Sequence, residues 1–565
     1  MKIYARGQAI NLDKSSFVAS GGEGEIYAKN NIAYKIYIDP KRMIPEGKIQ
    51  ELSKITDCDV NKPIDIVTNA NGKSIGYTTK FIAKASPLCS MFPRAYRDRN
   101  GITQDIVLSL VKRLQEMIDN IHSAQILIVD LNEMNFLLNS SHDKIYGIDV
   151  DSYQTPHFPA TALMDTIRDR HSPNTFNEGT DWFAYAITSF QMFCGIHPYK
   201  GKHPTLKTLN DRMMANISVL CPDVNVPKAV LSFDIIPDVY KQWYAAVLND
   251  GKRIHPPKDF LITTTILPQI HISANSGNVV ITDLNFKFIG NIQNLFYKLG
   301  TTIICTNEMI YLDAHPMYKS GKFTYSCAFS NKSNEAISAW ADNNKLKLHN
   351  ITRNYDVPID LEIDTLSAYD GRLIVKNMSH ILEINLTETS GKIIATSKII
   401  GNVLPHATCL YSGVAIQNLL GSIFISLFPS KNICYQIKIP ELDKYKIIEA
   451  KFDTGVLMII GIKNNKYDRL IFRFDTNYST YDLRIIHDVI HTGLNFVTLD
   501  TGVCVCLNEE DKIEAFSSRQ NSSGIKIIED TALSGDMALY KQGGKAIFTQ
   551  NNKIYQISIK EKKLC

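Results

Sequence analysis

Residues 122–151, HSAQILIVDLNEMNFLLNSSHDKIYGIDVD, concentrate the chain's chemistry. An apolar run delivers Asp130, and Asn135 follows five residues later. The apolar stretch FLL, the polar turn NSSHDK and a second short apolar stretch then lead to Asp149 and Asp151. Two short strands joined by that turn would set these carboxylates and the amide at neighbouring strand ends. One carboxylate near a hydroxyl, with an amide and a carboxylate for a metal ion, is what phosphoryl transfer requires. The transferred group needs positioning and Mg²⁺ to neutralise developing charge, and little covalent help. Asp and Asn are also common turn residues, so the same spacing is compatible with a plain polar hairpin.

Such carboxylates need a phosphate-binding element, and FVASGGEGEIY has the composition of one. Gly21, Gly22 and Gly24 let a hairpin backbone approach a phosphate closely because no Cβ intervenes. The strand EIYAK, a turn at Asn30 and Asn31, and the strand IAYKIY carrying Lys35 come next. Strand-loop-strand excludes a Walker A loop and a dinucleotide fingerprint, both of which open a helix.

SGGEGEIY, IAYK, IVDLNEMN and IDVDS, in this order, resemble the protein-kinase fold. The resemblance is to bacterial kinase-like proteins with a GGEG glycine loop, a D-x-N-x-x-N catalytic loop and a D-x-D-S metal motif, and it covers roughly residues 10–260. It implies ATP and Mg²⁺ as cofactors. By it, Asp130 orients and accepts from a substrate hydroxyl, and Lys35 binds the α- and β-phosphates beneath Gly21, Gly22 and Gly24. A helix carboxylate in PEGKIQELSKI holds that lysine: Glu46, with Glu51 as the alternative register. Asn135 and Asp149 hold Mg²⁺, and Asp151 is a further ligand or a replacement for the usual Gly. Adenine meets backbone near Phe81 to Ala83, and Asp181 ties back to the catalytic-loop backbone, a role compatible with a simple helix cap.

The departures from the family pattern are specific. Ala19 replaces the first loop glycine, Ile128-Val129 the His-Arg pair, Asn132 the catalytic-loop lysine, and Val150-Asp151 the Phe-Gly pair. The proline-broken stretch after Asp151 contains no Ala-Pro-Glu. These changes remove a γ-phosphate contact and the charge partner of a phosphorylated activation loop, while leaving nucleotide and metal groups in place.

The elements that position these groups follow from periodicity. Ile106, Leu110, Leu114, Met117 and Ile121 have helical spacing and lead into the catalytic loop. TDWFAYAITSFQMFCGIHPYKG reads as a buried helix ended by Gly195 to Pro198, and QWYAAVLNDGKRIHPP as closing helices with Arg253 near the boundary. His171, His197 and His203 fit no metal-ligand spacing. From residue 261 helical periodicity gives way to recurring short strands, as in LSAYDGRLIVKNMSHILEINL and LYKQGGKAIFTQNNKIYQISI, with weaker copies near Gly300, Ser333 and Gly413. A period of about 40 residues predicts a β-propeller of six or seven blades, the last strand closing the ring towards Cys565; a pair of β-sandwiches is the alternative.

At 565 residues, with 44% hydrophobic and 21% charged residues, the chain is long enough for two or three globular domains. The expected architecture is multidomain, α+β followed by all-β. A bilobal kinase-like domain spans residues 1–262, divided near residue 83, and the propeller spans 263–565. A net charge of +4 without a Lys/Arg block argues against nucleic acid. The eleven cysteines form no C-x-x-C pair, and Cys504 and Cys506 read as core residues of one strand face. No apolar leader and no eighteen-residue apolar run is present, so a cytoplasmic protein of a bacterium or a phage-infected cell is expected. The function expected is an ATP- and Mg²⁺-dependent kinase acting on protein Ser/Thr hydroxyls, with the propeller recognising a protein partner. A pseudokinase scaffold, such as a phage-assembly subunit, is the alternative.

Overall fold

A computed structural model of the chain describes residues 1–258 and 279–559. The expected boundary at 262/263 and the final Cys565 lie outside the described residues. The described chain clusters into two compact units, residues 1–94 with 102–258 and residues 95–101 with 279–559. The first begins β-rich and continues into helices; the second consists mainly of small antiparallel sheets.

In the first unit, strands β1 (Lys2–Ala5), β2 (Gln8–Asn11), β3 (Phe17–Ser20), β4 (Gly24–Lys29), β5 (Ile32–Tyr37), β6 (Ile66–Thr68) and β7 (Ser74–Lys80) form one antiparallel sheet in the order β2-β1-β6-β7-β5-β4-β3. Helix α1 (Glu46–Leu52) lies between β5 and β6 in sequence. The β4–β5 turn is Asn30-Asn31, with φ of 53° and 60°. That two-residue form has the twist the flanking strands need, and Asn tolerates it. Lys35 pairs with Ile26 on one side and Tyr77 on the other, so the sheet fixes its backbone from both edges. Gly76 makes this possible: a Cβ there would stand 2.0 Å from the Lys35 carbonyl oxygen.

Strand β8 (Ser86–Pro87) and helix α3 (Gln104–Ser123) follow; helix α2 (Arg94–Asn100), between them in sequence, clusters from residue 95 on with the second unit. The Thr103 side chain caps α3, whose Leu110, Leu114, Met117 and Ile121 are buried and whose Ile106 is half-buried. Strands β9 (Phe136–Leu138) and β10 (Ile145–Gly147) pair with β8 in the order β10-β9-β8. Helix α4 (Glu178–Cys194) packs on α3 and is buried throughout from Thr180 to Cys194. An Asn177/Thr180 capping box starts it, and Gly195 at φ 74° ends it, where a Cβ would meet the Phe92 carbonyl oxygen at 2.5 Å. Helices α5 (Leu209–Ala215) and α6 (Asp238–Tyr244) complete the unit. Among the described residues no helix is long and apolar enough to cross a membrane.

Among the described residues the second unit contains seven four-stranded antiparallel sheets. Six use consecutive strands, within residues 292–319, 326–356, 365–402, 408–438, 446–486 and 496–528. The seventh joins Ala538–Gln542, Lys545–Gln550 and Lys553–Ile559 to β11 (Val279–Asp283), with Val279 opposite Ile559. Each recurring sequence unit falls on one sheet, and seven separate small sheets rule out the sandwich pair. Every sheet shares an apolar cluster with the next in sequence. The seventh shares one with the first, through Leu295, Ile304 and Tyr311 against Ile547 and Ile554. The side-to-side core is therefore cyclic. Two-residue turns with both residues at positive φ recur at Leu299-Gly300, Asn343-Asn344, Asp370-Gly371, Asn464-Asn465 and Asn551-Asn552. Cys504 and Cys506 are both buried.

Candidate functional site

Lys35, Asp149 and Asp151 meet, although more than a hundred residues separate the lysine from the acids. The Lys35 ammonium donates to Asp149 Oδ1 at 2.8 Å and to Asp151 Oδ2 at 2.6 Å. The Tyr37 hydroxyl donates to the same Asp151 oxygen at 2.5 Å. The rings of Tyr37 and Tyr77 stand 5.5 and 5.9 Å from the ammonium, within cation–π range. Asp151 has a side chain 4% exposed, whereas that of Asp149 is 45% exposed. Asp149 is held outward by a left-handed backbone, φ 59° and ψ 35°. Asp151 Oδ1 is buried without a well-aligned donor, the Tyr77 hydroxyl standing close enough to Asp151 to favour its charged form.

Electrostatics follow this packing. Burial raises the affinity of both carboxylates for a proton. At Asp151 the opposing Lys35 charge and the hydrogen bonds from Lys35 and Tyr37 outweigh burial, so its pKa lies below the ordinary value. At Asp149 the protein packed around its inner face and the neighbouring carboxylate outweigh the lysine, so its pKa is raised although its outer face meets solvent. Burial alone would lower Lys35, but the two carboxylates reverse this and raise it. The ammonium therefore does the work a bound cation would do, neutralising an acid pair.

Asp130 and Asn135 form the second half. Asn135 Nδ2 donates to the Asp130 carbonyl at 2.9 Å and to its Oδ2 at 3.1 Å. The Asn135 carbonyl accepts the Ile148 amide at 2.9 Å, so the β9–β10 ladder sets Asn135 beside the residue preceding Asp149. Asn132, which stands where the family has lysine, bonds within the loop: its Oδ1 accepts the Met134 amide at 2.8 Å. The Met164 amide donates to Asp130 Oδ1 at 2.6 Å.

The loop is held from behind by α4. Asp181 is fully buried and accepts the Ile128 and Val129 amides at 2.8 and 2.9 Å, with His122 Nε2 2.9 Å from its Oδ2. Val129 has φ 62°, a strained conformation for a β-branched residue that costs on the order of 1–3 kcal/mol. Asp181 supplies the bonds that hold it there.

The glycine loop closes through the Gly21 amide on the Gly24 carbonyl, 2.8 Å. Around Gly22 a Cβ would meet nothing, so the hairpin tip is open to a ligand. Gly24 is a glycine for another reason: a Cβ would lie 2.7 Å from the Ile36 carbonyl oxygen of β5. The Phe81 amide already donates to the Asn31 carbonyl at 3.0 Å, leaving Ile82 and Ala83 of the expected adenine contact.

Glu46 is not brought to Lys35, which corrects the expected pairing. It occupies the exposed first turn of α1, directly after Pro45, and the helix turns Lys48, Ile49, Glu51 and Leu52 inward instead. Lys48 fills the inward position. It is 1% exposed and donates to the Asp151 carbonyl at 2.8 Å and the Pro159 carbonyl at 3.2 Å, and burial lowers its pKa. Glu51, the alternative, bonds His157 Nδ1 at 2.5 Å. The neighbouring Thr155 side chain and the hydrogen bonds from His157 take its pKa down to about 2. Sequence reasoning also missed the pair of Asp169 with Arg253, 2.6 and 2.7 Å, which clamps the loop after Asp151 beneath Phe183. No short motif marks a pair 84 residues apart.

The acid pair suits a divalent cation. Asp149 is open to solvent, Asp151 Oδ1 lacks a well-aligned donor, and Asn135 adds an amide one strand away. Asp57, Cys58 and Asp59 also cluster, but Arg113 already pairs both carboxylates, at 2.6 and 3.0 Å. His197 is buried and forced down to about 3, so it stays neutral, and it shares no such cluster with His171 or His203. No protein-family model matches the chain, and no curated protein sequence matches it either.

Proposed function

We propose that the first unit is a kinase-like phosphotransferase that binds a nucleoside triphosphate with Mg²⁺ and passes the γ-phosphoryl to a protein Ser/Thr hydroxyl. The observation that carries the reading is the Lys35 ammonium bridging Asp149 and Asp151. The Lys35 ammonium, already compensated by two acids, could turn to phosphate oxygens, leaving Asp149 and Asp151 as candidate metal ligands. Asp149, Asp151 and Asn135 would hold Mg²⁺, which supplies charge neutralisation at the phosphates. Gly21 and Gly22 leave the hairpin tip clear for phosphate, Lys35 orients the tail, and Asp130 receives the hydroxyl proton. The bilobal arrangement belongs to this reading.

The seven sheets with their cyclic shared core support a seven-bladed propeller as the partner-recognition module. Its own acid pair, Glu509 and Glu514, is closed by the Arg469 guanidinium, with Arg484 on Glu514 as well, so it reads as structural. A second reading, a non-catalytic scaffold, draws on Asp130: both its oxygens accept protein donors and Asn132 contributes no positive charge.

Thermal denaturation with ATP, GTP and Mg²⁺ tests nucleotide binding, since a ligand at a hundredfold its dissociation constant adds about 2.7 kcal/mol. Labelled ATP with the wild type and Asp130→Asn tests transfer. A melting-temperature rise with transfer abolished by Asp130→Asn upholds the enzyme. A rise with equal signal in both proteins leaves the scaffold, whose partner complex would survive Lys35→Ala.

A further inference from the structure

Resting on that reading, we infer that the acceptor position is filled by the chain's own residues 157–164, HFPATALM, and that the true acceptor is an extended, uncharged polypeptide segment that displaces them. The Met164 amide lies 2.6 Å from Asp130 Oδ1 while Asn135 holds Oδ2, and Asp130 is left 7% exposed. A substrate hydroxyl must come within about 2.6–3.2 Å of this carboxylate, so it has to enter where Met164 stands.

The segment is strapped down along its length. His157 Nδ1 meets Glu51 at 2.5 Å, and the Phe158 ring lies where a Gly47 Cβ would come within 3.0 Å of it. The Pro159 carbonyl accepts Lys48 at 3.2 Å, and the Thr161 amide donates to the Ser152 carbonyl at 3.0 Å. Three of these contacts, at Pro159, Thr161 and Met164, use the strap's backbone. That is how an extended peptide of varied sequence is bound, with side chains adding selectivity. The strap contains no Asp, Glu, Lys or Arg, so its track favours small and aliphatic residues around the hydroxyl.

The reaction at this position is a simple displacement. The hydroxyl oxygen bonds to the γ-phosphorus, the bond from that phosphorus to the β–γ bridging oxygen breaks, the nucleoside diphosphate leaves with the electron pair, and the proton passes to Asp130. A hydroxyl introduced at position 164 should therefore be phosphorylated in cis.

The test uses the full chain carrying Met164→Ser, with ATP and Mg²⁺, read by phosphopeptide mapping and melting temperature. Stabilisation by ATP with phosphate on residue 164, at a rate independent of protein concentration and lost on adding Asp130→Asn, is the expected result. Stabilisation by ATP without phosphate there overturns the strap alone; no stabilisation removes the nucleotide reading and the strap with it. Should Met164→Ser fold poorly, His157→Ala loosens the strap at an exposed residue outside the catalytic groups. Transfer to a synthetic peptide of residues 157–167 bearing serine at the Met164 position should rise severalfold with ATP stabilisation unchanged, and equal rates in variant and wild type overturn the proposal.

Discussion

Two regions of the molecule, the Lys35 site in the first unit and one strand of the second, use charge in opposite ways. In the first, side chains from distant parts of the sequence converge on one another: Lys35, Tyr37 and Lys48 all address Asp151. In the second, a single strand (Lys446–Asp453) sends its polar side chains to the backbone of the next sheet. Glu449 accepts the Leu494 amide, Lys451 donates to the Phe496 carbonyl at 2.6 Å, and Asp453 accepts the Thr498 amide at 2.7 Å. Alternate residues meet alternate residues, as two strands side by side require. The second pattern spends each charge on one backbone partner and is structural. The first pools charge at one point and leaves an acid exposed and a carboxylate oxygen without a well-aligned donor, so a ligand can still change its balance.

Removing a hub should cost more than removing a stitch. Asp181→Ala strips acceptors from two buried amides and frees a strained Val129, and Asp151→Ala leaves the Lys35 ammonium in a largely dry site; each should lower stability by about 3–5 kcal/mol in urea unfolding. Lys451→Met should cost about 1–2 kcal/mol, the loss of one hydrogen bond with the Phe496 carbonyl left unpaired. If Lys451→Met matches Asp151→Ala, the distinction between pooled and distributed charge fails. Asn465→Ala, at a turn residue with φ 61°, should cost about 1 kcal/mol, and Asn465→Gly less than that.

The smallest effect is a pH dependence at the edge of the first unit. Glu51 is depressed from 4.5 to about 2, so its contribution is complete above the unfolded value and is lost as pH falls from 4.5 towards 2. Melting temperatures of wild type and Glu51→Gln should differ at neutral pH and converge over that interval. A constant gap would mean that the His157 contact does not depend on the carboxylate's charge.

Much of this was legible before any coordinates. Lys35, Asp130, Asn135, Asp149, Asp151 and the tether at Asp181 are side chains in short motifs, and all but Asp181 come from three such motifs. The recurring strand units each became one sheet because period-two patterning and Asn- or Gly-containing turns are local properties. What escaped was set by packing. Whether Glu46, Lys48 or Glu51 faces inward depends on where α1 starts, which Pro45 decides. The Met164 contact with Asp130 is made by a backbone amide, which has no sequence signature. Gly24 looked like part of a phosphate loop and proved to be required by the β4–β5 ladder.

The closing strand pair also sets a schedule for synthesis. Val279 waits for Ile559, and 559 − 279 = 280 residues must leave the ribosome in between. At about 5–20 residues per second that is roughly 15–60 s during which β11 has no partner while the residues before it are already free to fold. A chaperone that shields exposed strand edges would have its natural moment on this chain then, and truncation before Lys553 would make that interval permanent.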